Sequence, residues 1–111
     1  MSRLSFQSLK EVYGRIKEDV SVTPILTSLE FDALLPRTTN TFFKAELFQQ
    51  TGSFKYRGAN NALACMSNDD LKKGVVTYST GNHGSAVARA VQLHDVQCEV
   101  VVVQSPTFKT N

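Results

Sequence analysis

Apolar side chains recur at helical spacing near the start of the chain, where Leu9, Val12, Tyr13, Ile16 and Val20 follow Ser8. Ser8 and Glu11 have the form of a capping box, so a first helix is predicted over about residues 8–19. Thr23-Pro24 imposes an extended entry to the next segment, because proline disfavours the helical region for its predecessor. Thr27 and Glu30 make a second box leading into Phe31, Leu34 and Leu35 before Pro36 stops the run, which predicts a short helix. The aromatic-rich stretch from Thr41 to Phe48, TFFKAELF, reads as a strand. QQTGS then forms a loop ahead of a helical segment from about Phe54 to Met66.

The next unit repeats that grammar. Asp69 to Lys73 is a short helix stopped by Gly74, VVTYS a buried strand and TGNHG a turn. SAVARAVQLH is a helix with Ala86, Ala90 and Leu93 on one side, and Cys98 to Val103 is a further strand. Strand, crossover helix and strand in that order imply parallel pairing, and β-branched runs suit strands covered on both faces. The predicted class is α/β, an open parallel sheet with flanking helices and at most three strands, ending in the loop SPTFKTN.

Composition narrows the function classes more than it names one. With 111 residues the chain suffices for one modest domain, and 41% hydrophobic with 20% charged residues is ordinary for a globular protein. The net charge of +2 names no partner. Lys10, Arg15, Lys44, Lys55, Arg57 and Lys72 are dispersed among acids, which argues against a nucleic-acid interface. Cys65 and Cys98 stand without CxxC or histidine spacing, so neither a disulfide framework nor a metal site is indicated. The run Val100 to Val103 is far too short to cross a membrane, and a cytoplasmic protein is expected.

Two segments carry chemistry. In TGSFKYRG, Lys55 stands at a strand–loop–helix junction, where desolvation and a helix N-terminus both favour the neutral amine that Schiff-base formation needs. Gly52 and Gly58 would let the backbone approach a flat ring, Phe54 would supply an apolar wall and Ser53 could cap the helix. Taken alone, a loop lysine is usually just a solvated side chain. In STGNHG, glycines with Ser79, Thr80 and Asn82 at a strand-to-helix turn make a pocket for a carboxylate or phosphate. The plain alternative is that Gly81-Asn82 is a turn pair and His83 a packing or capping side chain.

Read together, SFKYRGA (Ser53 to Ala59) and VVTYSTGNHG (Val75 to Gly84) resemble the serine racemase and serine/threonine dehydratase branch of the fold-type-II pyridoxal-phosphate enzymes. Thr23-Pro24 with the following LTS, and FFKAELFQ ahead of the lysine, extend the likeness over nearly the whole chain. The resemblance implies part of a tryptophan-synthase-β-like fold. Residues from about 41 to 104 would form the small substrate-side domain, and residues 1–40 would belong to the large one. It further implies that Lys55 carries pyridoxal phosphate as an imine and moves the α-proton of an amino-acid substrate. Asn82 would hydrogen-bond the cofactor's phenolic oxygen, and Ser79, Thr80, Asn82 and His83 would hold the substrate carboxylate. Loss of a β-hydroxyl gives an ammonia-lyase, whereas reprotonation on the other face gives a racemase.

The departures shape the expectation. Thr80 stands where serine racemases carry the serine that acts as acid and base on the second face, and its methyl restricts the hydroxyl's rotamers. Elimination is therefore expected ahead of racemisation. Leu29 and Gln50 replace a serine and a lysine that animal racemases use for nucleotide activation, which is not expected here. Family members are more than twice as long. Their glycine-rich phosphate loop, the partner of the pyridine nitrogen and any divalent-cation ligands fall outside this sequence, so weak cofactor binding is expected. The rival expectation is a non-catalytic truncated homologue that associates through an exposed strand edge with a full-length relative; a homo-oligomer is the other association to weigh.

Overall fold

The computed structural model describes residues 4–103. In chain order the elements are α1 (Phe6–Ile16), β1 (Ile25–Leu26), α2 (Leu29–Asp32), β2 (Phe43–Lys44) and a 3-10 turn (Glu46–Phe48). Then come α3 (Lys55–Ala64), α4 (Asn68–Leu71), β3 (Val75–Tyr78), α5 (Asn82–Gln92) and β4 (Cys98–Val101). The closing SPTFKTN segment lies outside the described residues.

The second half folds as its pattern predicts. β3 and β4 pair in parallel, from Val75 opposite Cys98 to Tyr78 opposite Val101, with α5 as the crossover. Gly74 sits at φ +83° ahead of β3, and a Cβ there would lie 3.3 Å from the Gln97 carbonyl oxygen. Both its conformation and this close approach call for glycine. The class is α/β, but the sheet has two strands, not three. The predicted strand from Thr41 to Phe48 shrinks to β2, which pairs antiparallel with β1 in a separate two-residue ladder. Of its aromatics Phe43 meets Phe31 of α2 edge-on, with ring centroids 5.2 Å apart, whereas Phe42 and Phe48 are exposed.

Two caps fall elsewhere than the spacing suggested. Ser5, not Ser8, caps α1, and Ser8 supplies the reciprocal bond of the box in place of Glu11. Ser28, not Thr27, caps α2 through the Phe31 amide. In each case a second hydroxyl residue within a few positions takes the cap and the helix start shifts with it.

The core lies between α3 and α5, where Tyr56, Ala59 and Leu63 pack against Ala86, Val87, Ala90 and Val91, with Ile16 and Val20 closing one end. Ala86 and Ala90 are fully buried, and their small side chains let the helices approach closely. Leu93, predicted on the same side, is exposed because it follows the last turn of α5. Burial pushes the Tyr56 hydroxyl above the ordinary phenol range. Val75 and Cys98 turn inward against this core, whereas Val76 and Tyr78 are 69% and 64% exposed. The strands are thus covered on one face, not on both as their β-branched runs suggested, since the helices packed here occupy one side. No described helix is long and apolar enough to cross a membrane.

Candidate active site

α3 and β3 enclose a cleft of about 350 Å³ whose walls are mostly apolar. One helical stripe supplies one wall: Lys55, Gly58, Ala59, Ala62, Leu63 and Met66, at positions i, i+3, i+4, i+7, i+8 and i+11. Val75, Val76 and Thr77 of β3, with His83 and Val87 of α5, form the other. The two chemistry-bearing segments therefore meet at one cavity. Phe54 and Lys55 come from the first and His83 from the second.

Lys55 is the first residue of α3 and is exposed, its Nζ 5.6 Å from the centre of the Phe54 ring. It has the predicted helix N-terminus but not the predicted burial. Phe54, 63% exposed, flanks the mouth as the expected apolar wall. Gly58 borders the cleft, with open space where a Cβ would stand. Gly52 is not on the cleft; its φ of +70° shows that it serves the turn before α3. Ser53 does not cap α3 as predicted. Phe54 holds the cap position without a side-chain bond, and the Ser53 hydroxyl is buried with no partner, as is that of Thr51.

At the second junction the helix starts earlier than its sequence pattern suggested, so Asn82 and His83 are its first two residues. The Ser79 hydroxyl is engaged within the loop, accepting from the Gly81 amide at 3.2 Å and donating to the Gly81 carbonyl at 3.3 Å. Gly81 caps α5 without a side chain, which leaves the first-turn amides of Asn82, His83 and Gly84 without an internal acceptor. Gly84 is closely approached: a Cβ would stand 3.0 Å from Val100 Cγ1 and 3.3 Å from Ser79 Cβ, so a larger residue is accommodated only if these side chains give way. Thr80, Asn82 and His83 are exposed, and among the described residues Ser79, Thr80 and Asn82 lie outside the cleft walls.

The strongest electrostatic feature borders the lysine helix and was not singled out in the sequence. Arg57, in the first turn of α3, donates from Nε and Nη2 to the two Glu46 carboxylate oxygens at 2.8 and 2.7 Å, and from Nη2 to the Ser21 carbonyl at 3.1 Å. Thr23 Oγ1 donates to Glu46 at 2.6 Å, and Lys44 Nζ donates to the Thr23 carbonyl at 2.6 Å. The Arg57 hydrogen bonds, reinforced by that of Thr23, pull the Glu46 carboxyl down to about 2, against the desolvation that opposes it. The only sequence hint was an acid inside an otherwise apolar run, ELF, ahead of a loop and a basic residue. Helical spacing from Lys55 could likewise have named Ala59, Ala62 and Met66 as cleft residues.

The donor set suits a flat aromatic aldehyde with an anionic arm. The cleft volume falls within the roughly 300–1,000 Å³ usual for small-molecule sites, its walls are apolar, and a primary amine stands at its mouth. An uncapped helix start offers amide donors to one anionic group beside it. Pyridoxal phosphate fits these residues at its ring and its aldehyde. Among the described residues no set of three His, Cys, Asp or Glu side chains gathers as metal ligands would.

Comparison with known proteins agrees with this donor set. Residues 16–108 match the family model described as pyridoxal-phosphate dependent enzyme. The chain is 40% identical over 112 residues to the serine racemase of Dictyostelium discoideum, covering 100% of this chain and 34% of that protein. It is 37% identical over 106 residues to the L-threo-3-hydroxyaspartate ammonia-lyase of Saccharomyces cerevisiae, covering 95% and 32%. The structure of maize serine racemase matches with a TM-score of 0.83 at 36% identity, over 94% of this chain and 32% of that one. The chain thus spans about one third of the length of the curated relatives it matches. Its α/β architecture is part of the fold-type-II arrangement, and the chain belongs to the pyridoxal-phosphate dependent enzyme family.

Proposed function

We propose that this chain carries the lysine-bearing side of an active site that converts serine or threonine, as an ammonia-lyase first and a racemase second. The observation that carries the reading is one apolar cleft bordered by both Lys55 and the first turn of α5. Relatives named as a serine racemase and as an ammonia-lyase support both reaction types. In the same reading, residues 41–104 form the substrate-side unit.

When bound, pyridoxal phosphate supplies the electron sink that makes an amino-acid α-carbon acidic. The chain's own residues do the rest. Lys55 would hold the cofactor through its amine, and the same amine would serve as the base for the α-proton of the substrate. Phe54 would wall the ring, and Asn82, beside the cleft at the start of α5, would donate to the cofactor's ring oxygen. The amides of the α5 start, with Ser79, Thr80, Asn82 and His83, bind the substrate carboxylate, which fixes the Cα–H bond toward Lys55. Thr80 offers the hydroxyl for proton return on the opposite face, and its added methyl slows that step relative to elimination. A non-catalytic role as the partner of a full-length relative is the second reading; exposed apolar side chains of the paired strands away from the cleft, Tyr78 and Val101, favour it.

Reduction with borohydride after incubation with pyridoxal phosphate, followed by peptide mass mapping, tests the assignment. The expected result is a covalent increment on the peptide containing Lys55, and its loss in Lys55→Ala. A label spread over surface lysines such as Lys10 and Lys72, unchanged by that substitution, would remove the enzymatic reading. Formation of a 2-oxo acid against formation of the D-enantiomer then ranks lyase over racemase.

A further inference from the structure

We propose that Arg57 is a positioning residue for Lys55, fixing the first turn of α3 from outside the helix so that the amine stands at the mouth of the cleft. This rests on the reading of Lys55 as the cofactor-holding amine.

A helix start has orphan amide donors and frays unless something pins it. In α1, α2 and α4 a serine hydroxyl does so, from Ser5, Ser28 and Ser67. α3 has no such cap, although its first residue is the lysine on which the site depends, and the neighbouring Ser53 hydroxyl is not used. Arg57 tethers that turn from its side instead: its guanidinium only donates, so it satisfies none of the orphan amides but ties the first turn to its surroundings. Its guanidinium reaches Glu46, 11 residues back, and the Ser21 carbonyl, 36 residues back. Both acceptors are themselves held. Gln49, which is buried, accepts from the Ser21 amide at 2.9 Å and donates to the Ser21 carbonyl at 3.0 Å. Glu46 takes the Thr23 hydroxyl, and the Ala45 amide bonds the Pro24 carbonyl at 3.0 Å.

Shielding separates this pair from ordinary surface ion pairs. The Arg57 and Glu46 side chains are 28% and 16% exposed, whereas both partners in the other three described ion pairs are more than half exposed. A forked, partly desolvated pair holds geometry as well as energy, and exposed pairs contribute little. The neighbouring side chains divide the labour. Tyr56 enters the core, Lys55 and Gly58 face the cleft, and Arg57 faces the 3-10 turn. Loss of Arg57 therefore frees the turn that carries the amine while the core contacts of Tyr56, Ala59 and Leu63 remain.

The experiment uses the full chain and two readouts: the rate at which pyridoxal phosphate labels Lys55 under borohydride, and amide hydrogen exchange along α3 and α5. Arg57→Ala is expected to slow Lys55 labelling about tenfold or more and to speed exchange at the start of α3, leaving α5 protected. Arg57→Lys should recover part of the rate, and Arg57→Glu combined with Glu46→Arg most of it. If the parent chain labels Lys55 and Arg57→Ala labels it equally fast, the positioning role is wrong and the proposed function stands. If Arg57→Ala strips protection from α5 as well and neither rescue variant restores labelling, Arg57 is merely structural and the inference fails. A parent chain that never labels at Lys55 overturns the functional reading, and the inference with it.

Discussion

The start of α5 is held by its immediate neighbours, with Ser79 bonding both backbone groups of Gly81 and its Cβ lying close against Gly84. The start of α3, across the same cleft, is held chiefly from a distance: Arg57 reaches Glu46 and Ser21, while its own loop supplies backbone turn bonds but no side-chain cap. Local devices survive when the rest of the fold loosens, because their partners lie within a few residues. Remote ones depend on the N-terminal segment and the 3-10 turn keeping their places. The lysine side of the cleft is thus coupled to the fold as a whole, and the glycine–asparagine–histidine side is largely self-contained.

The comparison is broken most directly at its remote anchor. Glu46→Ala leaves the partly buried Arg57 guanidinium without its partner and should cost about 2–3 kcal/mol in urea denaturation near neutral pH. Acid does the same reversibly. Glu46 has a folded value of about 2 against 4.5 in its unpaired state, so its stabilisation is complete above about pH 4.5 and fades as pH falls toward 2. In the parent chain hydrogen exchange at the start of α3 should rise in that window before exchange at the start of α5. Equal rises at both ends, or a Glu46→Ala variant with the same acid profile as the parent, would show that the two helix starts are anchored alike.

At the local junction the largest effect comes from Gly84→Ala. The new methyl overlaps Val100 Cγ1 at 3.0 Å and the less yielding Ser79 Cβ at 3.3 Å, so a loss of about 1–2 kcal/mol is expected. Thermal denaturation reads it, and the disturbance should stay with α5, β3 and β4. Ser79→Ala removes the two loop bonds to Gly81 and should cost about 0.5–1 kcal/mol, with faster exchange at Gly81 and no change at the start of α3.

The same contrast explains what could be read in the sequence. The β3–α5–β4 unit was legible because its signals are local: β-branched runs in the strands, small residues at helical spacing, and Gly74 as the stop of the preceding helix, whereas the one-sided cover of the strands was not. The Lys55 and STGNHG segments were legible as motifs, and their meeting at one cleft follows from their places on α3 and α5. The stretch from Thr41 to Phe48 was misread because its aromatic content favours a strand, while tertiary demands decide otherwise. Glu46 is drawn into a 3-10 turn where it meets Arg57, and no local pattern encodes a partner 11 residues away. The capping errors are of a different kind. Ser5 and Ser8, or Thr27 and Ser28, offer interchangeable hydroxyls, and propensity alone does not rank them.

The smallest expected effect is the sharpest check on the absent cap. Ser53 has the residue type and position of a helix cap, so a reader of the sequence would expect Ser53→Ala to destabilise by about 1 kcal/mol. In the structure its hydroxyl is buried and bonded to nothing, which means that its removal sacrifices no hydrogen bond and relieves a desolvated polar group. Ser53→Ala should therefore be neutral or stabilising, by up to about 0.5 kcal/mol, and should leave the acid window of Glu46 untouched. A loss approaching 1 kcal/mol would mean that the hydroxyl bonds in solution. The start of α3 would then be capped locally after all, and the division between its two anchoring modes would disappear.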